Sequence, residues 1–423
     1  MTSRQRVQAA LNHREPDRVP VDMGSSFVTG IAATTYARLK RSLGLNGAPP
    51  KVNDLLQMLA EVELSVLEKL DLDVIALFPR GRFFGIPAEN WKPWTTFDGT
   101  EVLVPGGFQY RVDTDGSLLL SPGGDTSKPP SGRMPKDGYY FDIIVRQQQL
   151  DWDHLDPADF AEQFTRYSDD ELERLAATAD SLYRNTSYSI LGSFGGGALG
   201  DMPFVLGSEL DNPKGIRSYD DFLVAHITHP EYIRGIFALQ TERCLENLEL
   251  YRQAVGDRID AIFISGTDFG TQRGPFTSPD IYRDLYKPFH KRINDWVHTH
   301  TKWKTFFHSC GSIYRLIPDL IEAGVDILNP VQCSAAEMDP ARLKREFGDK
   351  LVFWGGGVDT QRTLPFGTPD EVRREVAERI RIFAPGGGFI FNTIHNIQAK
   401  TPIQNLLAMF ESAHDAGRYP VGT

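Results

Sequence analysis

A chain of 423 residues, 41% hydrophobic and 24% charged, can bury a large core and has the composition of an ordinary soluble globular protein. Its formal net charge of −11 argues against nucleic acid and anionic membrane as partners, since both are held by basic patches. Three cysteines, Cys244, Cys310 and Cys333, give no disulfide framework, the N-terminal segment has no signal-peptide core, and no apolar run is long enough to span a bilayer, so a cytoplasmic protein acting on a small molecule is expected.

Ser3 is positioned to cap a first helix reaching about Leu11, stopped by Arg14-Glu15-Pro16. Arg18–Gly24 reads as a first strand. Helical patterns follow at Thr34–Leu43 and at Asp54–Leu70, where Leu55, Met58, Leu59, Val62, Val66 and Leu70 keep one face apolar. Asp73–Phe78 is a second strand. From Phe83 to Asp142 the character changes to tryptophans, Gly-Gly pairs, Asp-Gly turns and short alternating runs, with a turn at Thr114-Asp115-Gly116-Ser117 and an extended loop at Ser127–Lys136. This reads as a β-rich insertion after strand two, serving as a lid or a subunit contact in a homodimer. A helix is expected over Ser168–Tyr183. Six more strands are expected at Ser187–Phe194, Ala261–Asp268, Thr305–Gly311, Asp326–Gln332, Leu351–Gly355 and Phe389–His395. Between and after them lie helical candidates at Pro230–Val255, Pro279–His300, Ser312–Ala323, Pro340–Phe347, Pro369–Phe383 and Pro402–Ala416, several opening with Pro as helices prefer.

Eight strands alternating with helices predict an α/β fold of the (β/α)8 TIM-barrel type, spanning residues 1–423 as one domain with 83–142 inserted; an open doubly wound sheet is the alternative. The strand ends carry, in order, Asp22, Arg80, the run Gly195-Gly196-Gly197, Asp268, His308 with Cys310, Gln332 with Cys333, Asp359, and His395 with Asn396. In a barrel these ends converge on one face, where the chemistry sits.

The stretch Lys304–Gly311 shows this best: an apolar strand runs directly into His308-Ser309-Cys310-Gly311. Two apart on an extended chain, His308 and Cys310 project the same way, about 7 Å apart, and an imidazole nitrogen beside a thiolate suits zinc. Packing is the bland alternative for such a pair. Catalytic zinc usually takes three protein ligands, and Cys333 or His395 is available as the third, while Asp268 or Asp359 offers a ligand or a hydrogen-bond partner for His308. Cys244, in a helical pattern, reads as structural. Gly195–Gly200 matches G-x-G-x-x-G, but Met202-Pro203 interrupts the helix that would cradle a pyrophosphate. Nucleophile-elbow, P-loop and H-E-x-x-H patterns are absent from the sequence.

The chain resembles the uroporphyrinogen decarboxylase superfamily, in its branch of cobalamin-dependent methyltransferases. The resemblance rests on Arg4–Val7 with Arg18–Val21, Asp268–Gln272 with Ser278-Pro279, Phe307–Gly311, Gly324–Pro330, Trp354–Gly356 with Asp359-Thr360, and Ala384–Gly387. It implies a (β/α)8 barrel. Two departures stand out. The decarboxylases carry an Arg-rich motif after strand one, where this chain reads Met23-Gly24-Ser25-Ser26-Phe27-Val28. The thiol-methylating members bind zinc through His-x-Cys and a later Cys in a segment like Ala-Pro-Gly-Cys-Gly, where this chain reads Ala384-Pro385-Gly386-Gly387-Gly388.

What the resemblance implies is a corrinoid-linked methyltransferase of a small methylated ether, amine or thioether, or of a thiol, with cobalamin carried on a partner corrinoid protein. Zinc held by His308, Cys310 and a third group, Cys333 or His395, would act as Lewis acid, with Asp268 among the catalytic residues and Asp22, Arg80, Gln332, Asp359 and Asn396 binding substrate. The alternative is a metal-free decarboxylase-type enzyme in which Asp268 or Asp22 moves a proton and Arg80 holds a carboxylate.

Overall fold

The computed structural model describes residues 1–81 and 83–421. Its centre is a seven-stranded parallel sheet whose strands neighbour one another in chain order: Val74–Leu77, Ser189–Ser193, Ala261–Ser265, Lys304–His308, Ile327–Asn329, Val352–Trp354 and Phe389–Ile390. Almost every residue in these strands is buried, as expected of strands covered on both faces. The segment around Val21 closes the ring. Val21 bridges Phe391 in parallel, the Asp22 amide donates to Phe391 O, and the Asp73 amide donates to Val21 O. The first strand is therefore a bridge and not a ladder, because Pro20 has no amide to give. The result is the (β/α)8 barrel.

Inside it, Val74, Leu191, Phe263, Phe306, Ile327, Val352, Trp354 and Ile390 form one buried cluster with Val7, Ala10 and Leu11. The helix Ser3–Leu11 thus plugs the N-terminal end, and only the C-terminal end is left open. That helix is capped by Thr2, not Ser3: Thr2 Oγ1 accepts from the Gln5 amide and the Gln5 side chain accepts from the Thr2 amide. A buried ion cluster ties the plug to the closing segment. Asp73, with a fully buried side chain, accepts from Arg6 Nη1 and Arg18 Nη1, each at 2.6 Å, and from the Val21 amide at 2.8 Å.

Helices form at Pro230–Val255, Pro340–Phe347 and Pro369–Phe383 as predicted, with Pro in the first turn of each. Pro279–His300 is helical throughout but carries a π-helical turn at Tyr282–Tyr286. The expected helix at Asp54–Leu70 is confined to Leu64–Lys69. Its first half is instead a short antiparallel pair, Val52–Asp54 with Leu59–Ala60. Asp54 Oδ1 accepts from the Gln57 amide, which sets a turn, and Met58 sits at φ 54, outside helical backbone.

The insertion holds the hairpin Lys92–Thr95 with Glu101–Val104, and a four-stranded antiparallel sheet of Tyr110–Val112, Leu118–Leu120, Gly132–Met134 and Asp142–Ile143. Gly132–Met134 falls in what the composition suggested was loop; it pairs with Leu118–Leu120, whose alternate residues Leu118 and Leu120 are buried. No helix among the described residues is long and apolar enough to cross a membrane.

Candidate metal centre

The strand Lys304–His308 delivers His308 to the open end, 2% exposed. Beyond it the chain turns. Cys310 does not stand a strand's two-residue repeat away: its Sγ lies 3.3 Å from His308 Nε2. His395, from the loop after the last strand, places its ring 5.6 Å from that of His308, at 74°. One donor atom from each of His308, Cys310 and His395 falls within 4.8 Å of the others.

The tautomer of His308 follows from its neighbours. Asn329 Nδ2 donates to Trp354 O, so Asn329 Oδ1 is an acceptor and takes the Nδ1 proton of His308 at 2.6 Å. That leaves a lone pair on Nε2, aimed at Cys310 Sγ and at Asp268 Oδ1, 3.6 Å away. A histidine locked this way by its other nitrogen is the arrangement seen in metal sites. Burial pushes both imidazoles toward the neutral form, which a metal ligand must adopt. It also pushes the Cys310 thiol well up, with Asp268 adding to the effect, so a bound cation would be needed to hold it as the thiolate. The donor set of two nitrogens and one sulfur fits zinc with an open fourth position.

Asp268 borders the trio, with its side chain 48% exposed toward the mouth; it accepts from the Cys310 amide at 2.6 Å. Gln332 Oε1 accepts from the Gly311 amide and so braces the Cys310 turn. Gly311 is the tight point of that turn. It sits at φ +87, and a Cβ there would lie 2.4 Å from the backbone of Gly270. Gly311→Ala is expected to lose about 2 kcal/mol or more in urea unfolding and to loosen metal retention, since backbone cannot yield as a side chain tip does; unchanged stability and retention would refute it.

The remaining expected site residues are engaged as follows. Cys333 is not part of the trio: its Sγ rests 3.4 Å from Val331 O, near Gly356, and burial pushes its thiol up to about 12. The strand ends at Asn329, before Pro330, so the chain has already turned when it reaches Cys333. Arg80 is held by Asp170, Glu89 and Glu171. Asp359 accepts from the amides of Gln361 and Arg362, closing its own turn. Asn396 is buried, accepting from the Gly30 amide and donating to Phe27 O and Gln57 Oε1. Cys244 is buried in the helix Pro230–Val255.

Asp22 is 1% exposed and accepts from Ser25 Oγ and Trp354 Nε1. Burial raises its carboxyl from the usual 3.8 to about 6. A raised carboxyl binds its proton more tightly folded than unfolded, so its contribution to stability is lost as pH rises through that interval. Asp22→Asn keeps an acceptor for Trp354 and removes the ionisation. It is expected to recover up to about 3 kcal/mol at pH 7, and to flatten the stability profile between those two values. Urea unfolding at the two ends of the interval checks this; an unchanged slope refutes it.

Two residues that the sequence did not single out belong at this mouth. Asn329 orients His308. Its signal was present, as the last polar residue of an apolar strand, but the strand was drawn through to Gln332. Asp201 lies in the loop after Ser189–Ser193, where burial and the neighbouring Asp268 push its carboxyl well up. It follows the glycine run that drew attention to itself.

An open barrel mouth with a histidine–cysteine–histidine donor set is the site of a barrel enzyme able to hold a metal. The profile of the family described as Uroporphyrinogen decarboxylase (URO-D) matches residues 153–416, more than half of the chain. The protein belongs to the uroporphyrinogen decarboxylase family. It is 30% identical over 78 residues to a uroporphyrinogen decarboxylase of Psychromonas ingrahamii, a match covering 18% of this chain and 21% of that protein. Its fold is similar to a methyltransferase from Methanosarcina mazei, with a TM-score of 0.56 and 16% identity over 98% of this chain and 99% of the other.

Proposed function

We propose that this protein is a zinc-dependent methyltransferase that moves a methyl group between a small methylated substrate, or a thiol, and a corrinoid protein. The observation that carries the reading is the clustering of His308, Cys310 and His395 donors within 4.8 Å at the open end of the barrel. His395 takes the place of the later cysteine of the thiol-methylating relatives. Zinc bound there would supply Lewis acidity toward the heteroatom bearing the methyl group. The chain's own groups orient the rest: Asn329 fixes the His308 ring, Asp268 and Gln332 hold the Cys310 turn, and the open side of Asp268 faces the substrate. The whole-length likeness in fold to a methyltransferase supports this choice within the family. We assign the insertion the role of a lid or subunit contact on a single barrel domain.

A metal-free decarboxylase is the second reading, supported by the likeness of one segment to a decarboxylase. Its intended carboxylate holder, Arg80, is already engaged by three acidic groups, and its intended acid, Asp22, is closed off from solvent. Elemental mass spectrometry of the protein purified without chelators separates the two. Near-stoichiometric zinc, with zinc-dependent methyl transfer to added reduced cobalamin, is expected. No zinc, and none regained on adding it, would sink the methyltransferase reading and send the work to carboxylated substrates.

A further inference from the structure

The three donors that meet at the barrel mouth do not carry the same charge. Cys310 would bind a metal as a thiolate, whereas His308 and His395 bind as neutral imidazoles. Against the two charges of zinc, one anionic and two neutral donors leave one positive charge uncancelled. The neighbours of the donors do little to offset it. His308 gives its Nδ1 proton to the Asn329 amide at 2.6 Å, where a carboxylate would make the ring a stronger donor. Among the described residues no carboxylate hydrogen-bonds to either imidazole: Asp268 stands 3.6 Å from His308 Nε2 and accepts from the Cys310 amide instead. The group bracing the Cys310 turn, Gln332, is again a neutral amide.

Resting on the methyltransferase reading above, we propose that His395 selects the substrate class: as a neutral third donor it keeps the centre electron-poor, which suits a neutral donor with its methyl group on oxygen, such as a methyl ether, and disfavours a thiol acceptor. The bond between methyl carbon and oxygen breaks as the carbon bonds to the reduced cobalt of the partner's corrinoid, which contributes both electrons of the new bond. The oxygen keeps the pair of the broken bond and takes a proton from water, leaving an alcohol. Positive charge beside that oxygen lowers the cost of the negative charge that develops on it. A thiol has the opposite task, since its sulfur must give electrons to the methyl carbon, and the same positive charge holds them back. Asp268 acts in the same sense. Its side chain is 48% exposed toward the mouth, where it repels an arriving thiolate and leaves an ether unaffected.

The test changes the charge of the third donor and keeps the number of donors. His395→Cys and His395→Glu each put an anionic donor at this position, the first shorter than the imidazole and the second of similar reach. The first readout is binding, which needs neither turnover nor corrinoid. Azide, a small anion that takes an open position on zinc, is titrated calorimetrically into the zinc-loaded proteins. Wild type is expected to bind it at least about tenfold more tightly than either variant, because a unit charge at contact distance is worth that much even when well screened. The second readout is methylation of ethanethiol by methylcobalamin, which His395→Cys should perform at least about tenfold faster than wild type. Equal azide affinities, no azide binding by zinc-loaded wild type, loss of zinc from both variants, or thiol methylation by wild type as fast as by His395→Cys would each overturn the proposal. Zinc content and methyl transfer by wild type in either direction are measured alongside. Absence of either sinks the methyltransferase reading and this inference with it, whereas equal affinities or equal thiol rates with both intact sink this inference alone.

Discussion

Cys310→Ala and His395→Ala should each strip the protein of zinc, while Cys333→Ala should keep it. Three donors meet at the barrel mouth, and Cys333 is turned toward Val331 and Gly356 instead. Loss of a partner that only orients a metal ligand commonly costs 10- to 100-fold in affinity, as a rough guide, and loss of a ligand itself costs more. Losing Cys310 also removes the one ligand that would balance zinc's charge as a thiolate. Zinc per chain after dialysis is the measurement. Methyl transfer should fall with it by about a thousandfold or more, the rate equivalent of the several kcal/mol that a Lewis acid supplies. Zinc retained by Cys310→Ala, or lost from Cys333→Ala alone, would refute this ligand set.

The second large effect is on folding. Asp73→Ala is expected to cost about 3–5 kcal/mol, because it removes the buried acceptor shared by Arg6, Arg18 and the Val21 amide, leaving Arg6 only the half-exposed Asp17 and Arg18 only the exposed Asp71. Domains of this kind are stable by only about 5–15 kcal/mol, so the variant stands near the limit of folding. Arg6 comes from the plugging helix and Arg18 from the segment leading into the barrel closure, so the loss acts on both at once. The midpoint of urea unfolding reports it. A shift worth less than about 1 kcal/mol would show that the pairing only offsets its own desolvation. Paired hydrophobic replacement of all three residues is the informative companion, since it removes the charges together.

Much of the barrel was legible because each strand is a short apolar run and each helix an amphipathic one, and these local patterns survive folding. The order of strands, the β-rich character of the insertion, and the pairing of His308 with Cys310 all belong to this class. Strand ends were less legible. The apolar run Asp326–Gln332 continues past Asn329, but Pro330 has no amide to add to the ladder, so the chain leaves the sheet there. Drawing the strand too long hid Asn329 and promoted Cys333. At Asp54–Leu70 the apolar spacing was that of a helix, but the backbone of Met58 and Ala60 is held by Ala33 and Ile31, far away in sequence.

The sequence by itself determined which residues have metal-binding chemistry and that most of them stand at strand ends. It left open Cys333 against His395 as the third donor, because both end strands and either identity suits zinc. Only the tertiary structure brings His395, and not Cys333, beside His308 and Cys310: distance between residues 308 and 395 is a property of barrel closure, through Val21 and Phe391, and no local pattern carries it. The same holds for Asp201, whose nearness to Asp268 exists only once the loops after two neighbouring strands meet at one mouth.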